Sequence, residues 1–465
     1  MSHHQTATRV ATRTGLAAAA LLGLLAACQP SEAPTESPAP AFDAATADVL
    51  VSTTADDGPG SLRQAIADVA DGGVIGFEPA LAGGRIALSD VLRIDGKSVT
   101  IDGPSDHGIT IDGDGVTNLL RVFSTGGLTL RNVTLTGSYA SVGAIFTQGT
   151  LRIENSTITG NHAVEEGSAG DGFGAGIGHA GGNVTVVNST ISGNIADQQG
   201  GGISSHGVSG SITLVHTTVT GNSSPDDRAG GIYIRESGVQ LVLQNTIVAG
   251  NSAVTMPDCR IVSSQSPAYL GTNLLGDADC RPRAEDIVAA DPVVGPLADN
   301  GGPTRTHALL AGSPAIEGAV QACATVPVDQ RYVARPQGNA CDIGAFEFTG
   351  FVTPPLAVDP SGTISSNTGV AIVSGTITCP APATVTIRAT LRQSQKVGKV
   401  NTTVEASAET AIACGGTRPW SVALAPATGG FKNGTGTVTA RTTAGPAYLL
   451  TAETSRSVKL VWGRK

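Results

Sequence analysis

Aromatic residues make up only 3% of this 465-residue chain, which has two tryptophans and two methionines. A globular core of ordinary thickness draws on more Phe and Trp than that. The 40% hydrophobic share is instead mostly Val, Ile, Leu and Ala, which suits side chains stacked in files inside a narrow interior. Charge is sparse at 14%, and the formal net charge is −10. The sequence carries no basic stripe to displace counterions from phosphates, so nucleic acid is a poor partner. No apolar run reaches the about 20 residues of a membrane-spanning helix. None of the seven cysteines has Cys-x-x-Cys spacing, so a zinc site is not expected, and no cofactor is either.

Glycine, by contrast, is abundant at 61 residues, and one short phrase recurs. It reads Asn155-Ser-Thr-Ile-Thr-Gly160-Asn161, Asn188-Ser-Thr-Ile-Ser-Gly193-Asn194, His216-Thr-Thr-Val-Thr-Gly221-Asn222 and Asn245-Thr-Ile-Val-Ala-Gly250-Asn251, with a fainter copy at Asn132–Gly137. The Gly-Asn steps fall 33, 28 and 29 residues apart (160 to 193, 193 to 221, 221 to 250). A phrase at that period marks a solenoid. Each copy alternates apolar and polar residues before a tight turn, so the repeats are strands and the fold class is an all-β parallel β-helix. Equivalent side chains of successive coils then stack in files, and a recurring Asn at a turn predicts a ladder of amides. Asn also tolerates the left-handed backbone that such turns need.

The N-terminus reads as a targeting segment. Arg9 and Arg13 precede an apolar run from Leu16 to Ala27, the anatomy of a signal peptide. Its ending, Leu25-Ala26-Ala27-Cys28, resembles the lipobox of bacterial lipoproteins. That resemblance implies lipid on the Cys28 sulfur, cleavage before it, and a membrane-anchored protein of the cell envelope, outside the cytoplasm. Ordinary secretion with Cys28 discarded is the alternative. Residues 28–48, rich in Pro, Ala, Ser and Glu, predict a disordered tether. The six remaining cysteines allow 15 pairings, of which the local one joins Cys259 to Cys280, Cys323 to Cys341 and Cys379 to Cys414.

Ser61 and Gln64 have capping-box spacing, and Leu62, Ala65, Ile66 and Val69 share a face, so a short helix is expected to cover the first coil. The β-helix with this cap spans 49–251. Residues 252–348 are expected to add further coils and close the far end, and 349–361 to form a Pro-containing linker. Residues 362–465 are Thr/Val-rich and predict a small immunoglobulin-like β-sandwich. A monomer is expected.

Two stretches carry a family resemblance. Val51-Ser-Thr-Thr with Asp57-Gly-Pro-Gly-Ser-Leu-Arg-Gln-Ala-Ile66 resembles the CSLREA-type segment that opens exported β-helix proteins, with Gly60 in place of its Cys and Gln64 in place of its Glu. Leu297–Leu310, Gly312–Ile316, Asp329-Gln-Arg331, Arg335-Pro336 and Cys341–Glu347 together are similar to the choice-of-anchor Q domain, with Tyr332 where Gly is expected. Together they imply a right-handed, pectin-lyase-like β-helix displayed at the cell surface, and no particular reaction.

Aligning the coils on Ile145, Ile177, Ile203 and Ile232 sets an outward file of Phe146, Gly178, Ser204 and Tyr233. Two residues further on, a second file holds Gln148, Ala180, His206 and Arg235. Aromatic platforms beside planar polar groups suit sugar rings, so Phe146, Gln148, His206, Tyr233 and Arg235 are the candidate glycan contacts. The competing reading is a polysaccharide lyase or glycoside hydrolase on an acidic or plant-type polysaccharide, which needs clustered carboxylates. Its candidates are Asp171, His206, Asp226, Asp227, Arg228 and Glu236, which sit in turns and not on one strand file. A structural spacer is the third reading. Asp112-Gly-Asp114-Gly115 lacks the other ligands of a calcium loop, and Gly172-Phe-Gly174-Ala-Gly176 has no helix after it to bind a nucleotide.

Overall fold

A computed structural model describes residues 47–167, 172–207, 209–236, 238–262, 266–319, 325–350, 353–444 and 451–463, without the side chains at 226, 227, 380–383 and 444. The leader, Cys28, all but the last two tether residues, Asp171 and Cys323 lie outside the described residues. Among the described residues no helix is long and apolar enough to cross a membrane.

The chain winds through four parallel sheets in turn. One circuit runs Gly127–Arg131, Val133–Thr136, Tyr139–Ala140 and Ile145–Thr147, and then Thr150–Glu154 lies beside the starting strand. In that order the sheets contain nine, nine, five and seven strands. Inward residues stack as the period-two alternation requires. Leu128, Leu151, Val184, Ile212 and Leu241 form one file of the first sheet, each no more than 2% exposed. Ile145, Ile177, Ile203 and Ile232 form the expected file of the fourth sheet. Each fully buried Leu or Ile contributes about 1.5–3 kcal/mol, so stability accumulates coil by coil.

The recurring phrase does two jobs. Its first residue (Asn132, Asn155, Asn188, His216, Asn245) turns the chain from the first sheet into the second with φ between 44° and 55°. Its last residue builds the ladder. Asn161 donates from Nδ2 to Asn194 Oδ1 at 2.9 Å, Asn194 to Asn222 at 2.8 Å, and Asn222 to Asn251 at 2.9 Å. Asn251 ends the series on Asp258 Oδ1 at 2.8 Å. The preceding glycines (160, 193, 221, 250) hold φ between 66° and 74°, a turn in which a Cβ would be strained.

Both ends of the coil are covered. The helix Leu62–Asp68 is capped by Ser61, whose hydroxyl accepts from Gln64 N at 3.1 Å, and it buries Leu62, Ala65 and Ile66. The Gln64 side chain turns to Asp68, so only half of the capping box forms. At the far end, Tyr269 is buried with its hydroxyl on the Cys280 carbonyl, beside the expected disulfide Cys259–Cys280. Cys379–Cys414 is also formed. Cys341 is disulfide-bonded, but its expected partner Cys323 falls outside the described residues.

The segment from Pro303 to Phe346 does not close the end of the coil. It folds back along the flank of the second sheet. Thr304 Oγ1 donates to Asn155 O, Asn188 Nδ2 to Val328 O, and Tyr332 OH to Asn132 Oδ1. Gln330 hydrogen-bonds the outward Thr157 and Thr190 of that sheet, while Leu309, Ile316, Ile343 and Phe346 pack on its outward Ile247 and Leu274.

The C-terminal module is all-β, but its strands form one closed sheet where the sequence suggested two facing ones. Ala371–Val397 and Val400–Leu424 make a long hairpin. The first half of Ala371–Val397 pairs with Ser361–Ile364 and the second half with Gly434–Ala444. Glu453–Trp462 pairs with both of those strands and closes the barrel around Trp420, Phe431, Leu391 and Val438. The barrel also recruits Leu356–Val358 from the expected linker, because Val358 is buried in its core.

Candidate functional site

The outward file of the fourth sheet is in the expected register: Phe146 beside Gly178, Gly178 beside Ser204, Ser204 beside Tyr233. The residues after each strand follow suit. Ala180 N bonds Thr147 O, His206 N bonds His179 O, and Arg235 N bonds Ser205 O. Over this face lies a cleft of about 250 Å³. That is just below the usual small-molecule pocket of about 300–1,000 Å³, and it suits a single ring.

Gly178 and Ser204 form its floor, Phe146, Val142 and Phe173 its apolar walls, and His206 and Arg235 its polar end. Gly178 keeps the floor open: a Cβ there would stand 2.6 Å from Val142 Cγ1 and 3.5 Å from Phe146 Cδ2. Phe173 comes from the Gly172–Gly176 run, where glycines at φ 78° and 62° carry the chain across the sheet. Its backbone bridges Val142 and Gln199, which fixes the ring over the cleft. The Phe173 and His206 rings lie 4.1 Å apart, and His206 packs on Tyr233 at 5.7 Å.

Tyr233 therefore does not face solvent. It is only 6% exposed and supports His206 from beneath. Gln148 lies outside the cleft lining. Of the five candidate contacts the structure brings together Phe146, His206 and Arg235. It adds Phe173 and Val142, which the sequence masked because they lie in turns between strands. The flanking pair of positive-φ glycines is the signal that could have exposed Phe173.

The polar end has a definite proton arrangement. Burial, and then the Arg235 charge, push the His206 imidazole down to about 4, so it is neutral at pH 7. Arg235 Nη1 lies 3.4 Å from His206 Nδ1 and can only donate. Nδ1 is therefore the acceptor and Nε2 carries the proton, an assignment by hydrogen-bond logic. His206 Nε2 and Ser204 Oγ are both buried without a partner. Both atoms are closed to solvent, so a ligand ring gains these hydrogen bonds only by displacing the side chains that cover them.

Below the floor, His179 Nε2 meets the Gly182 carbonyl at 3.1 Å and Nδ1 meets Ser205 Oγ at 2.8 Å. The carbonyl only accepts, so Ser205 donates to Nδ1. Ser205 is fully buried and its hydroxyl is engaged, which makes the pair structural. Burial holds the His179 imidazole below its usual range.

The carboxylate candidates do not converge among the described residues. Glu236 pairs with Arg235 Nε at 3.3 Å and is outside the cleft lining. Arg228 lies on Ser223–Arg228, a strand of the third sheet, away from the cleft lining. Asp226 and Asp227 sit on the same strand, with their side chains outside the description, as is Asp171. Asp112 and Asp114 hold Arg85 at 2.6 and 2.7 Å, an ion-pair cluster. The described cleft thus offers apolar walls, donors and a hydroxyl, which is equipment for binding a ring.

No curated protein matches the chain. Residues 89–273, which hold the whole cleft, match the family model described as Right handed beta helix region, and the coil is a right-handed parallel β-helix.

Proposed function

We propose that this is a lipid-anchored protein of the cell envelope whose β-helix binds a surface glycan through the cleft of the fourth sheet. The observation that carries the reading is the pairing of two phenylalanine walls with the unpartnered Ser204 hydroxyl and His206 Nε2–H at one spot. A sugar ring stacks an apolar face on an aromatic and presents hydroxyls at its rim. The Leu25-Ala26-Ala27-Cys28 sequence supports the anchor. Glycan-array binding of the purified protein, compared with Phe173→Ala, tests the cleft. Binding lost in the variant supports it, and an identical glycan profile overturns it. Mass spectrometry of the Cys28-containing peptide tests the anchor, which an unlipidated Cys28 would overturn.

A further inference from the structure

We infer that the cleft is the centre of a longer track, one that binds a linear anionic glycan along the coil axis. The inference rests on the glycan reading of the cleft and adds the charge and length of the ligand.

The file that carries Phe146, Gly178 and Ser204 begins at Arg93 and Arg121 and ends at Arg260, all in strand register. Six coil steps of about 4.8 Å separate Arg93 from Arg260, a run of about 29 Å. Arg235 joins from the neighbouring file at the cleft's end. The chain has 38 acidic residues against 28 basic ones, yet three of these arginines have no carboxylate partner among the described residues. Arg93 is exposed with no hydrogen bond there. Arg121 lies against the rings of Phe123 and Phe146, 5.1 Å from each. Arg260 donates to the Met256 sulfur at 3.2 Å. The Nε atoms of Arg121 and Arg260 are buried and unsatisfied.

Arg93 and Arg121 are also direct neighbours across two strands, where like charges destabilise each other. Such an arrangement gains when a counter-charge bridges it. Guanidinium groups match carboxylate and sulfate oxygens in a two-pronged geometry. Near the file, Asp90 and Asp95 flank Arg93 in sequence and Glu236 pairs with Arg235. Among the described residues, the lining of the cleft itself includes no carboxylate. Charge at both flanks and one ring-sized apolar cleft between them fit an extended acidic sugar chain better than a compact ligand.

The test uses the purified full-length protein with polygalacturonate, alginate, chondroitin sulfate, neutral dextran and oligo-dT as probes. We expect binding of at least one acidic glycan and none of dextran, with affinity rising with chain length until the track is covered. Arg93→Gln and Arg260→Gln should each weaken it about two- to fivefold, the worth of an exposed ion pair. Added salt should weaken it, and Arg388→Gln on the barrel should leave it unchanged. Binding of a neutral glycan that Phe173→Ala abolishes and the arginine variants leave untouched overturns the track while the cleft reading stands. Failure to bind any glycan overturns both. Equal binding of oligo-dT, with the same arginine dependence, also overturns the track, because it marks general adsorption of polyanions.

Discussion

The Thr190 hydroxyl donates to the side-chain carbonyl of Gln330 at 2.7 Å across 140 residues of sequence. The Gln330 amide nitrogen meanwhile reaches Thr157 Oγ1 at 2.9 Å and Thr304 Oγ1 at 2.8 Å. One buried side chain thus ties the returning segment to two successive coils of the second sheet.

That segment is held by charge as well. Arg335 and Glu347 are both fully buried and meet at 2.8 Å, while Arg335 also donates to the Asp342 and Gly344 carbonyls. Burial raises the pKa of Asp342 and Glu347 together, and their mutual repulsion raises Asp342 further. Arg335→Leu leaves two buried carboxylates without their cation and should cost about 3–5 kcal/mol. Limited proteolysis is expected to cut within residues 303–347 of this variant while the coil stays intact.

Asn222 is the middle of the amide ladder. It accepts from Asn194 and donates to Asn251, with no exposure to solvent. Asn222→Ala removes the acceptor of the buried Asn194 N–H and the Nδ2 donor to the buried Ile191 carbonyl, two hydrogen bonds that hold the turn. At about 1–3 kcal/mol each, the loss should be about 2–5 kcal/mol, read from the denaturant midpoint. A change below about 1 kcal/mol would show that water replaces the amide.

Asp258 ends that ladder, and burial pushes its carboxyl up to about 6. The folded state therefore holds a proton that the unfolded chain releases near its ordinary value of 3.8. Stability contributed by this group is fully present below about 4, falls as pH rises to about 6, and is flat above. Asp258→Asn keeps the acceptor and removes the charge. It should stabilise the protein by on the order of 2 kcal/mol at pH 8 and make no difference at pH 3.5. Thermal midpoints at the two pH values check this.

The cleft floor gives a separate prediction. Gly178→Val places its Cβ against Val142 and Phe146 and fills the space a ring would take. Glycan binding should fall more than about tenfold, with the far-UV circular dichroism spectrum of the folded coil retained. Tyr233→Ala, by contrast, removes a buried ring and should lower stability by about 3–5 kcal/mol.

Most of the coil was legible because its cause is periodic. Ile145, Ile177, Ile203 and Ile232 announce their file by spacing alone, and each Gly-Asn step announces its turn. The exposure of Tyr233 was not legible, since alternation says which face a residue takes but not what covers that face. The Phe173 wall and the His206 ring do the covering, and both belong to irregular segments. The arginine file was hidden differently: Arg93, Arg121 and Arg260 are scattered through an acidic chain and align only once the coils stack.

Sequence by itself determined the coil, the ladder asparagines and the capping helix, because each depends on neighbours within one repeat or the next. The structure selected the local disulfides Cys259–Cys280 and Cys379–Cys414 from the 15 pairings. Only the tertiary structure decided the closed C-terminal sheet, the fold-back of Pro303–Phe346 and the walls of the cleft. Those depend on contacts between segments that no period connects, where the burial of one side chain is set by a distant loop.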